Sequence, residues 1–115
     1  MEHILGNVAK APIDVDMNNF MAEVVEVSSK QPVIVQFWAP WCGPCKQLGP
    51  VLEKVVAAAN GKVKMVRVNI DDNQQIAQQL RVQSVPTVYA FVDGQPVDGF
   101  AGAQPESTLT QFIEK

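Results

Sequence analysis

Phe37-Trp38-Ala39-Pro40-Trp41-Cys42-Gly43-Pro44-Cys45-Lys46 is the stretch that decides the fold of this chain. On its N-terminal side, Val33 to Trp38 is a short, almost wholly apolar run rich in β-branched residues, as expected of a strand covered on both faces. Gln36 is its one polar residue. After Pro40 the spacing turns helical, with Leu48, Val51, Leu52, Val55, Val56 and Ala59 on one face and Asn60-Gly61 as the stop. The cysteines thus fall where a buried strand gives way to a helix. Backbone N–H groups of a first helical turn and the helix dipole both favour thiolate at Cys42, so its pKa falls below the ordinary value of about 8.5. Cys45 lies one turn later, within bonding reach of Cys42 and facing inward. That division makes Cys42 the attacking nucleophile and Cys45 the resolving thiol. Gly43 and Pro44 bring no charge between the cysteines, and so modest a depression suits a reductant.

The rest of the chain is consistent with this centre. Its 115 residues, 47% of them hydrophobic, suit one domain with one core, expected over 13–115 behind a loose segment at 1–12. A net charge of −3 without a basic stripe argues against nucleic acid as a partner. Apolar runs such as Val55 to Ala59 are too short to cross a membrane. Met1 to Pro12 lacks a signal-peptide layout, so a cytoplasmic location is expected. The two cysteines close too short a loop to serve as a structural staple. A zinc site wants four ligands, and the cysteines have only a distant His3 to join them, so no metal is expected.

Around the central strand and helix, Ile13-Asp14-Val15 reads as an edge strand, and Asp16 caps a helix through about Ser28 with Phe20, Val24 and Val27 inward. Pro50 interrupts the cysteine-bearing helix and removes one hydrogen bond. Lys62 to Ile70 alternates as a strand, and Asp71 to Leu80 reads as a short helix. Thr87 to Val92 and Gln95 to Ala101 flank the turn signal Asp93-Gly94. Pro105 opens a last helix with Leu109, Phe112 and Ile113 as its stripe. The order is βαβαβαββα, an α/β class with a mixed sheet and helices on both faces. Trp38 is expected beneath the cysteine helix, needing a partner for its indole N–H alone. Asp71-Asp72 reads as a solvated turn.

The segment Phe37 to Lys46 resembles the active-site stretch of thioredoxins. Pro50 matches the helix-kinking proline of that family, Val85-Pro86-Thr87 its cis-proline loop, and Gly94 and Gly102 its turn and groove glycines. The resemblance covers roughly Ile13 to Lys115 and implies the thioredoxin fold. It implies that Pro86, in cis, packs against the cysteine pair, and that the backbone of Val85 pairs with an extended substrate segment. Trp41, Gly43, Pro44, Gly102 and Ala103 would form a shallow apolar surface around Cys42. No bound cofactor is implied beyond the redox-active disulfide Cys42–Cys45. Electrons would come from a flavin-containing thioredoxin reductase using NADPH, and substrates would be proteins with disulfides or exposed cysteines.

The chain departs from the family at Gln36, where thioredoxins usually carry a buried Asp, and at Arg67, near a usual Lys. Gln takes up no proton at useful pH, so the Cys45 thiol loses general-base help and a mixed disulfide on Cys42 lives longer. The bland reading makes Gln36 a satisfied buried amide with little kinetic effect. Gly94 to Phe100 and Gln104-Pro105-Glu106 resemble chaperedoxins, in which a thioredoxin-like domain precedes tetratricopeptide-type repeats and holds unfolding clients. Two functions follow: a protein-disulfide reductase, or a client-binding module with weak turnover, this chain then being a domain excised from a longer one.

Overall fold

Strand β2 (Val33–Trp38) sits at the centre of the sheet, its two faces apolar except for Gln36 and almost wholly buried. The computed structural model describes residues 12–114, so the expected loose segment lies, apart from Pro12, outside the described residues. In chain order the elements are β1 (Ile13–Asp14), α1 (Met21–Glu26, continued by a tighter turn at Val27–Ser29), β2 and α2 (Gly43–Ala58). They are followed by β3 (Lys64–Asn69), α3 (Gln74–Gln79), β4 (Thr87–Val92), β5 (Gln95–Ala101) and α4 (Glu106–Glu114).

The five strands pair in the order β1-β3-β2-β4-β5. β1, β3 and β2 run parallel, whereas β4 is antiparallel to β2 and β5 to β4. The mixed sheet and the order βαβαβαββα agree with the sequence reading, as does the edge position of β1. Alternation along β2 divides the core. Val33, Val35 and Phe37 face α1 and α3 with Val24, Val66, Val68, Ile76 and Phe91. Ile34 faces α2 and α4 with Leu48, Leu52, Val56 and Leu109. Edge-to-face ring pairs reinforce both sides: Phe20–Phe91 at 5.8 Å and Phe100–Phe112 at 5.0 Å between centroids.

Three local readings need correction. The first helix opens on an Asp16 cap: Asp16 Oδ1 accepts from the Asn18 N–H at 2.8 Å, and Asn19 Oδ1 accepts from the Asp16 N–H at 2.8 Å. The Asp16 cap is as expected, and Asn19 closes it reciprocally, but the body of the helix is wound with π spacing, which periodicity at 3.6 does not foresee. The helix expected from Asp71 starts only at Gln74, because Asp71 and Asn73 are engaged elsewhere. The strand expected from Lys62 begins at Lys64.

The Asp93-Gly94 turn has positive φ at both residues (53° and 80°), the twist that suits a two-residue hairpin. It is tied back to α1 by the buried Ser28. The Ser28 hydroxyl donates to Val25 O and accepts from the Gly94 N–H, both at 2.7 Å, and Ser28 O accepts from the Asp93 N–H at 2.9 Å. Ser28→Ala leaves the Gly94 N–H unpaired in a partly buried turn. Urea unfolding of the oxidised variant should show a loss of about 1–2 kcal/mol, with disulfide-reducing activity at 25 °C unchanged.

Candidate active site

Cys42 is the cap of α2. Its backbone is extended (φ −91°, ψ 106°), and its Sγ accepts a hydrogen bond from the Cys45 N–H at 3.1 Å. Gly43 and Pro44 occupy the first turn, where a proline has no intrahelical bond to lose. The Cys42 N–H donates to Ala39 O at 3.1 Å, closing the turn between β2 and α2. Cys42 and Cys45 form a disulfide with Cα atoms 5.3 Å apart, as adjacent turns of one helix allow. Both are buried in this state, so exposure does not separate their roles. Position does: the Cys42 sulfur occupies the place of a capping oxygen, and the first-turn N–H groups favour negative charge there.

The cysteines pack with Ala39, against Trp38, Ile70 and Val85. The Val85–Pro86 bond is cis, and Pro86 O accepts from the Gly102 N–H at 2.9 Å, with Gly102 at φ 83°. Val85 and Gly102 are thereby held at the same end of the sheet as the disulfide. Val85 gives the cysteine cluster an apolar contact on this side, and Pro86 next to it is buried. Ala103 lies just beyond, exposed to solvent.

Trp41 is 67% exposed beside Cys42. Its indole N–H donates to both carboxylate oxygens of Asp71, at 3.2 and 3.4 Å. Asp71 is an exposed turn residue, as the sequence suggests, and it also anchors the one large exposed aromatic at the site, for which the sequence carries only the signal of an acidic residue just after β3.

Gln36 and Trp38 lie on the α2 face of β2. Gln36 is 1% exposed, and its Oε1 meets no hydrogen-bond donor among the described residues. Its amide lies beneath Gly49, where an added Cβ would stand 3.8 and 3.9 Å from Nε2 and Oε1. Trp38 packs against the cysteines, as expected, and its buried indole N–H meets no acceptor among the described residues. Arg67 pairs in register with Gln36 and sets its guanidinium 4.2 Å from the centre of the Trp38 ring, with Asp14 at 4.0 Å. A cleft of about 400 Å³ opens beside Trp38, lined also by Asp14, Asp16, Asn69 and Asp72. Among the described residues, no group of three or more His, Cys, Asp or Glu side chains is placed to hold a metal. None of their helices is long and apolar enough to cross a membrane.

The sequence profile of the thioredoxin family matches residues 11–115. The chain belongs to the thioredoxin family. It is 45% identical over 105 residues to Thioredoxin 1 of Nostoc sp., covering 91% of this chain and 96% of that protein. It is 43% identical over 99 residues to a thioredoxin of Haemophilus influenzae, covering 86% and 92% of the two chains. A crystal structure of thioredoxin from Malassezia sympodialis superposes with a TM-score of 0.81 at 34% identity, covering 93% of this chain and 91% of that one. The fold and the disulfide-forming pair Cys42–Cys45 make this a thiol–disulfide oxidoreductase of the protein-disulfide reductase type.

The Trp41–Asp71 contact sets the orientation of the exposed indole. Asp71→Ala should raise the KM for a protein disulfide about two- to fivefold with little change in kcat, the worth of one partly solvated charge-assisted hydrogen bond. Steady-state reduction of insulin checks it.

Proposed function

We propose that the chain reduces disulfides in protein substrates with Cys42 as nucleophile and Cys45 as resolving thiol. The observation that carries this assignment is the Cys45 N–H directed at the Cys42 sulfur at a helix N-terminus. The Cys42 thiolate attacks a substrate disulfide, forming a mixed disulfide and releasing one substrate thiolate. Cys45, deprotonated, then attacks the Cys42 sulfur, and the second substrate sulfur leaves with the electron pair of the broken bond. Reduction by NADPH through a flavin-containing thioredoxin reductase restores the dithiol, in keeping with the family. The cytoplasm, where thiols are kept reduced, is the compartment that suits this cycle.

The substrate docks as an extended segment along Val85, across a rim made by Trp41, Gly43, Pro44, Gly102 and Ala103. Support comes from the placement of Val85 beside the cysteines and of Gly102 on Pro86. Trp38 and Arg67 act as supports of the site from below. The domain spans 13–115.

A client-holding role of the chaperedoxin kind rests on Gln36 and on the Gly94 to Glu106 stretch. The relatives described above are thioredoxins and do not favour it. Gln36 nevertheless bears on turnover, because an amide cannot accept the proton that Cys45 must lose.

NADPH-driven insulin reduction with thioredoxin reductase tests both points when Gln36→Asp is run beside the wild type. Brisk wild-type turnover supports the reductase reading, and about tenfold faster resolution in the Asp variant supports loss of general-base help at Gln36. Absence of turnover in both overturns the reductase reading. Cys45→Ser should accumulate a mixed disulfide on Cys42, visible by mass, whereas Cys42→Ser should trap none; the reverse pattern overturns the assignment of roles.

A further inference from the structure

Two hydrogen bonds, one on either side of Val85, fix the chain where it enters β4. The Thr87 hydroxyl donates to Ser84 O at 2.7 Å, and Pro86 O accepts from the Gly102 N–H at 2.9 Å. Thr87 is 7% exposed, and its backbone is held in the sheet between Phe37 and Ala101. Ser84, by contrast, is exposed. Water can serve a carbonyl in such a position in several orientations. The Thr87 hydroxyl selects one of them.

Fixing Ser84 O also fixes the next N–H. The Ser84–Val85 peptide is trans, so its C=O and N–H lie in one plane and point opposite ways. Thr87 is the cross-strand partner of Phe37 and shares its side of the sheet, the side of α1 and α3. With Ser84 O drawn towards that side, the Val85 N–H is turned away from it, to the side on which α2 begins beside Cys42. Val85 itself packs against the cysteine pair.

We propose that Thr87 is a positioning residue for protein substrates: through Ser84 O, its hydroxyl holds the Val85 N–H ready to donate to the main chain of a segment lying beside Cys42. This rests on the reading that substrates dock as an extended segment along Val85. A small disulfide has no main-chain carbonyl to place there and gains nothing from the arrangement. Thr87→Val keeps the branched shape and the backbone pairing of β4 and removes only the hydroxyl, whereas Thr87→Ser keeps the hydroxyl.

The test compares second-order rate constants of the pre-reduced proteins with insulin and with 2-hydroxyethyl disulfide. Thr87→Val should react with insulin about three- to tenfold more slowly than the wild type, the worth of one hydrogen bond, and with 2-hydroxyethyl disulfide at the same rate. Thr87→Ser should keep the wild-type rate with insulin. A merely structural hydroxyl would slow both substrates alike or neither, and either result overturns the proposal. A Thr87→Ser protein as slow with insulin as Thr87→Val overturns it too. The docking reading is checked separately by amide hydrogen exchange at Val85 in Cys45→Ser, free and joined to a cysteine peptide through Cys42. Protection of the Val85 N–H in the joined form supports docking along Val85, and equal insulin rates would then sink the role of Thr87 alone. Without that protection, docking reading and proposal fall together. This second measurement leaves Thr87 in place and stands even if Thr87→Val does not fold.

Discussion

The junction between β2 and α2 is the constraint on which the rest of this structure depends. β2 is hydrogen-bonded to β3 on one side and to β4 on the other, so its end cannot move without breaking the sheet. α2 is pressed onto that sheet through Leu48 and Leu52, both at most 2% exposed. With strand end and helix body both fixed, the first turn of α2 has one place to be. The Cys42 sulfur then has no choice but to stand in front of the N–H groups of that turn, and Cys45 one turn beneath it.

The second half of the chain completes the site by the same kind of constraint. β4 enters the sheet beside β2 and carries the cis Val85–Pro86 bond to the cysteines. β5 returns along β4 and delivers Gly102 to Pro86. The hairpin that joins them is held from the far end by Ser28, well away from the chemistry. A shallow surface results, with the disulfide set into it and a single large ring, Trp41, standing out. Such a surface suits exchange between sulfurs, which needs in-line access for one atom rather than an enclosing pocket.

On the α2 side of the sheet the lining changes from apolar to polar towards the carboxyl end of β2, from Ile34 to Gln36 and Trp38. Arg67 lies alongside, its charge spread over the Trp38 ring and facing Asp14. A guanidinium stacked on an indole keeps its charge near solvent while its planar face covers the apolar ring. This is where the chain is least like a simple packed core, and it lies directly behind the redox pair.

Element order, the buried central strand, the capped cysteine helix and the hairpin at Asp93-Gly94 were all legible in the sequence, because each rests on local patterning: a run of β-branched residues, a helical stripe, a turn dipeptide. The redox pair was legible for the same reason, since two cysteines one turn apart at a helix start need no distant partner. What local patterning does not carry is which polar group finds which. Trp41 and Asp71 are thirty residues apart and meet only because β3 ends beside the α2 N-terminus. Which groups lie against the buried Gln36 amide and the Trp38 ring likewise depends on everything packed around them. The sequence by itself therefore determined the scaffold and the reacting atoms. Tertiary structure alone decided how the atoms around them are paired, because hydrogen bonding between side chains distant in the chain depends on where the packed elements place them.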